Sequence, residues 1–141
     1  GQMNAFAEPP TAGTLSDKDI VYLGDFSVNK ISKRPLYTTA KDEGTLPWLK
    51  AVAACQAKDT GGFHDWRLPE RRELSMLFQN KDVAALSATF NTSTKTGFYW
   101  SGAPSDDKKA EDAYFAWGQN FGTAKQDFRI VKTPSLFRCV R

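Results

Sequence analysis

The chain has 141 residues, 40% of them hydrophobic and 13% aromatic, enough to build one packed domain and too apolar for a disordered chain. Its formal charge of +3 is a mild basic bias that permits acidic glycans, nucleic acid or anionic surfaces as partners without demanding any of them. No run approaches the roughly 18 apolar residues of a membrane span, and the N-terminus lacks the basic and apolar regions of a signal peptide.

Residues 1–18 read as a linker or N-terminal arm, on the strength of Pro9-Pro10-Thr11-Ala12-Gly13, and residues 19–141 read as one domain. Asp19 to Leu23 and Phe26 to Val28 are expected as short strands around a Gly24-Asp25 turn, and Pro35 to Thr39 as another extended segment. A first helix is predicted to open near Thr45 to Pro47, with Thr45 as its cap. Trp48, Ala51, Val52 and Cys55 then share one face, and Gly61-Gly62 stops it. A second helix is predicted from Pro69, with Glu70 and Glu73 in the first turn, where the helix dipole favours carboxylates, and Leu74, Leu77 and Phe78 as its apolar face. Strands follow at Phe98 to Ser101, Ala113 to Phe121, Thr123 to Gln126 and Leu136 to Val140, with a polar insertion from Ala103 to Asp112. Helices early and strands late make an α+β domain.

Several residue groups invite a chemical reading. Asp65 and Arg67 could tune a proton transfer, but a core role is the stronger reading: Trp66 and Leu68 fill the interior, Pro69 opens a helix, and Arg67 finds a buried carboxylate, with Asp65 and Glu73 as candidates. His64 is the only histidine, and its closeness to Cys55 suggests a thiol and its base, a chemistry that a disulfide would abolish. Two cysteines by themselves leave a disulfide and two buried thiols equally open. The basic residues Lys125, Arg129, Lys132, Arg138 and Arg141 stand against one acid, Asp127, and read either as an anion-binding face or as ordinary surface charge. No recognition helix or basic-aromatic RNA motif points to nucleic acid.

The run from Trp48 through Ala54-Cys55, Gly61-Gly62-Phe63-His64-Asp65-Trp66-Arg67-Leu68-Pro69 and Glu73-Leu74, then Tyr99-Trp100-Ser101, Trp117 with Phe121, and Arg138-Cys139-Val140-Arg141 resembles the C-terminal domain of the Legionella collagen-like adhesin. The resemblance implies a C-type-lectin-like fold, two helices packed on a mixed, mainly antiparallel sheet with long loops. It also implies a disulfide between Cys55 on the first helix and Cys139 on the last strand, and therefore an oxidising, extracellular or cell-surface setting. In such a domain Asp65, Trp66, Arg67, Pro69, Glu73, Trp100 and Trp117 are structural, with Trp117 and Phe121 inward and Tyr114 and Asn120 outward. The family usually has a glycine three residues after the phenylalanine, where Ala124 stands here.

The function that follows is a non-enzymatic bacterial adhesin domain, at the tip of a pilus or secreted fibre, recognising a cell-surface glycan such as a sulfated polysaccharide or lipopolysaccharide sugar. The expected ligand residues are Asp106, Lys108, Lys109, Tyr114, Asn120, Lys125 and Arg129, with Tyr114 as a platform for a sugar ring beside the Asn120 amide. No cofactor is expected. Asp106-Asp107 and Glu111-Asp112 leave calcium open, although the calcium-dependent sugar-binding signatures of the fold are missing and a solvated loop is the default. The alternatives are a protein-binding or assembly module, as a homotrimer beneath a parent collagen-like stalk, and an enzyme resembling formylglycine-generating oxidases. That enzyme needs a reactive cysteine pair, whereas Cys139 reads as structural.

Overall fold

The computed structural model describes residues 12–16, 18–27, 29–105 and 109–141. Strands β1 (Ile20–Ser27) and β2 (Lys33–Thr39) form an antiparallel hairpin. The main sheet has five strands: β3 (Gly44–Leu46), β4 (Phe98–Pro104), β5 (Phe115–Asn120), β6 (Gln126–Ile130) and β7 (Ser135–Phe137), in the order β3-β7-β4-β5-β6. Only β4 and β7 run parallel. Helices α1 (Trp48–Ala57) and α2 (Arg71–Gln79) complete the C-type-lectin-like α+β arrangement.

Each side of the main sheet has its own core. Trp48, Ala51 and Cys55 of α1 meet Phe98, Trp100, Ala116 and Phe137. Leu74 and Leu77 of α2 meet Tyr99, Phe121 and Val140, together with Val21, Leu23 and Leu36 of the hairpin. A strand covered on both faces has no polar side, which is why Phe98-Tyr99-Trp100 is a continuous aromatic run. The indole N–H groups of Trp48, Trp66 and Trp100 donate to the Ser101, Thr60 and Leu46 carbonyls at 2.8, 3.2 and 2.9 Å, so burying them leaves no donor unpaired. Gly118 lets β5 cross closely over β4, since a Cβ there would lie 2.3 Å from the Phe98 ring and 2.4 Å from the Tyr99 carbonyl.

The C-terminal residues stitch hairpin, signature and sheet together. Arg67 and Val140 exchange backbone hydrogen bonds at 2.9 and 2.8 Å, and Tyr37 and Arg141 do so at 2.8 and 3.0 Å. Cys55 and Cys139, both fully buried, form a disulfide that ties α1 to this segment.

Several local expectations change. Gly24 is not in a turn: β1 runs unbroken from Ile20 to Ser27, and Gly24, at φ 105°, sits at a register shift against β2. Thr45 does not cap α1, because pairing with Leu136 draws it into β3, and Pro47 precedes the first helical residue instead. The second helix opens at Arg71, two residues after Pro69. Strand β6 begins at Gln126, not Thr123, because residues 121–125 form the turn from β5. Of the proposed arm, residues 1–11 and 17 lie outside the described residues. Within 12–16, Leu15 bridges to Val21, and Gly13 donates to the Tyr22 carbonyl at 2.6 Å.

Candidate functional site

The signature around Arg67 is built for cohesion. Its guanidinium makes two hydrogen bonds to the Glu73 carboxylate, at 2.5 and 2.8 Å, and Glu73 also accepts the Glu70 N–H at 2.8 Å. Burial pushes the Glu73 carboxyl up, but the Arg67 bonds and the Glu70 N–H outweigh it and hold the group below its ordinary value. Of the two carboxylates expected for Arg67, Asp65 goes elsewhere. It accepts from Arg141 at 2.6 and 3.2 Å, and that bond lowers its pKa. His64 is exposed, and Cys55 is locked to Cys139, so the thiol that His64 would activate does not exist.

The basic residues of the last third separate. Arg138 is only 1% exposed, contrary to an anion-binding role: its Nε donates to Asp42 at 2.8 Å, its other nitrogens to the Thr39 and Thr89 carbonyls, and its plane lies 3.7 Å from the Phe90 ring centre. Asp42 also accepts the Tyr99 hydroxyl at 2.8 Å, and burial drives the Tyr99 pKa far up. Arg141 belongs to Asp65. Among the described residues Arg129 and Lys132 have no ion-pair partner, and Lys125 has only Asp127, at 3.9 Å.

Lys125 and Arg129 meet in a cleft of 370 Å³ on the α1 side of the β5–β6 ladder, together with Thr94, Phe98, Asn120 and Asp127. Arg129 is half-buried, its plane 3.8 Å from the centre of Phe98, with one nitrogen donating to the Ser135 hydroxyl at 3.0 Å. Desolvation lowers its pKa. Among the described residues no carboxylate lies within 4.0 Å of it, while Lys125 stands 3.9 Å from Asp127 at the exposed rim. A half-buried guanidinium with no directly paired carboxylate among the described residues, beside a second cation, is a place for an oxyanion.

Other expected ligand residues do not join this cleft as foreseen. Asn120 does line it, but its amide oxygen accepts the Gly122 and Thr123 N–H groups at 2.7 and 2.9 Å, and its nitrogen donates to the Thr94 carbonyl at 2.9 Å. That amide holds the turn. Tyr114 is 57% exposed but precedes β5, six positions from Asn120, or about 20 Å along an extended chain. One sugar ring does not touch both. Trp117 is half-buried rather than core, because it faces α2 near the sheet edge, where Arg71 covers it with its plane 3.7 Å from the ring centre. Lys109 is exposed on the β4–β5 connection; Asp106 and Lys108 lie outside the described residues, as does Asp107. Glu111 and Asp112 are exposed in a short helical turn, and among the described residues no group of three or more metal-ligating side chains converges.

A second concavity went unforeseen. Tyr22, Tyr37 and Phe63 line a 320 Å³ pocket on the hairpin side with Lys18 and Arg141, the Arg141 plane lying 3.6 Å from the centre of Phe63. Its residues come from four separate segments, so no local pattern reveals it.

This architecture, two helices on a mixed sheet tied by a buried disulfide, is that of a C-type-lectin-like domain. The chain belongs to the Lcl C-terminal domain family, whose model matches residues 27–141, and is thereby an adhesin-related domain. It has no significant match among the curated proteins compared with it. Among the described residues no helix is long and apolar enough to cross a membrane, and the disulfide fits an oxidising compartment.

Proposed function

We propose that this domain is a non-enzymatic, cell-surface or secreted adhesin module that binds an anionic glycan, a sulfated polysaccharide or the acidic sugars of lipopolysaccharide, in the β5–β6 cleft. The observation that carries this reading is Arg129, half-buried on Phe98 and without a carboxylate partner among the described residues. A sulfate, phosphate or carboxylate group would supply the missing charge, and Lys125 at the rim would draw it in. The Thr123 and Thr94 side chains offer hydroxyls for neighbouring sugar positions. Tyr114 and Lys109 would touch only a longer chain extending along β5. The natural setting on this reading is the distal end of a pilus or fibre.

A glycan array at low and physiological salt tests the proposal. Binding to sulfated or phosphorylated glycans that weakens with salt and falls at least tenfold in Arg129→Gln, in a variant that still unfolds cooperatively, is the expected result. Salt-insensitive binding that survives Arg129→Gln and Lys125→Gln places recognition elsewhere.

A further inference from the structure

A cavity of 510 Å³, larger than the β5–β6 cleft and sharing no residue with it, opens where the end of the hairpin away from its turn meets β3 and the end of α1. Asp19 precedes β1, Thr39 closes β2, Lys41, Asp42 and Glu43 lead into β3, and Lys58 follows α1. Thr39 carries the anomaly. It is 5% exposed, and its hydroxyl is a buried polar group that finds no hydrogen-bond partner among the described residues. The neighbouring position shows that the strand can satisfy such a group: Thr38, on the opposite face, donates to the Cys139 carbonyl at 2.9 Å. A buried hydroxyl left unpaired costs stability, so one kept in a cavity wall points to a partner that arrives from outside.

The surrounding charges decide the chemistry of that partner. Glu43 is paired with Lys58 at 2.5 Å and Asp42 with the Arg138 guanidinium at 2.8 Å, so these two carboxylates are spent and held in place. Asp19 and Lys41 are left, one acid and one base, neither ion-paired nor hydrogen-bonded through its side chain among the described residues. An anion would gain Lys41 but face three carboxylates, and a cation would gain Asp19 but face two ammonium groups. We infer that this cavity binds one ring of a neutral saccharide, with the Asp19 carboxylate accepting from one hydroxyl, the Lys41 ammonium donating to another, and the Thr39 hydroxyl meeting a third at the wall. A sugar hydroxyl both donates and accepts, so a ring carrying several serves a carboxylate, an ammonium and an alcohol at once, which a group of single sign cannot. The volume lies within the range of small-ligand sites, and the paired Glu43–Lys58 wall is already ordered before binding. The inference goes beyond the anionic-glycan reading and does not rest on it, since Arg129 and Lys125 take no part.

The test is a titration with the methyl glycosides of glucose, galactose, mannose, fucose and N-acetylglucosamine, followed by amide chemical shifts. At least one is expected to bind saturably, moving the amides of Ala40 to Glu43 and Thr60, with an affinity unchanged between low and physiological salt. Lys41→Ala and Asp19→Asn should each weaken that binding by about tenfold. Asparagine tolerates the positive φ of 62° at position 19, so the second variant keeps the backbone. Arg129→Gln should leave the titration unaltered, which separates a failure here from a failure of the anionic cleft. Thr39→Val removes the unpaired hydroxyl, so it should raise the denaturation midpoint of the free protein while weakening sugar binding by about fivefold. The inference is overturned by a panel without saturable binding, by binding lost in Arg129→Gln or indifferent to both charge variants, or by a Thr39→Val protein that binds unchanged or unfolds at lower denaturant.

Discussion

Arg67 grips Glu73 with two parallel hydrogen bonds, and the carboxylate it holds is completely removed from solvent while Arg67 itself remains partly exposed. The asymmetry sets the energetics. Removing the arginine strands a buried charge, whereas removing exposed arginines nearby strands nothing. Arg67→Ala is therefore expected to lower stability by about 3 to 5 kcal/mol. Arg72, 5.2 Å from the centre of Phe26, should be nearly neutral on truncation. Arg71 is not in that class: it stacks on Trp117 and bonds Gln126 at 3.0 Å, so Arg71→Ala should cost about 0.5 to 1 kcal/mol. Urea denaturation midpoints check the order.

The same pair makes stability depend on acid. The Glu73 carboxyl is held below its ordinary value, so its contribution is fully present above the unfolded pKa, about 4.3, and is lost as pH falls through the lower folded value. The melting temperature should fall steeply below about pH 4.3. Glu73→Gln should flatten that part of the profile, and an unchanged slope in that variant would assign the acid sensitivity to other carboxylates.

Cys55 and Cys139 close a loop of 84 positions, for which chain entropy gives a stabilisation of about 4 to 5 kcal/mol. Thiol titration of the native, unreduced protein should find no free thiol. The Cys55→Ala/Cys139→Ala variant should melt well below the parent, and because both sulfurs are buried, reductant should act slowly unless denaturant is present.

Ala124 occupies the left-handed region at φ 69°, in the turn from β5 to β6, where its N–H donates to the Asn120 carbonyl at 2.8 Å. A side chain there costs about 1 to 2 kcal/mol. Glycine would relieve this but lose about 0.5 to 1 kcal/mol through the entropy of the unfolded chain. Ala124→Gly should thus stabilise the domain by about 0.5 to 1 kcal/mol, read as a higher denaturation midpoint; a lower midpoint would mean that the turn does not hold this conformation.

Much of this protein could be read along its chain because the signals are local. The spacing of Trp48, Ala51 and Cys55 makes one face of a helix whatever lies beyond it, and the aromatic run at Phe98 to Trp100 marks a strand covered on both sides. The motifs that carry the family resemblance are local in the same sense, and they extend to the bonded cysteines. What the chain could not declare is which groups meet across it. Asp65 and Glu73 stood equal as partners for Arg67 until the C-terminal strand brought Arg141 to Asp65. Arg138 looked like surface charge until Asp42, 96 positions away, took it into the interior. Thr45 became a strand residue only through pairing with Leu136, and Tyr114 and Asn120, at opposite ends of β5, do not share a site. Side-chain periodicity and turn chemistry act over a few residues and are written in order. A charge's partner and a strand's neighbour depend on distances that exist only once the whole chain has closed.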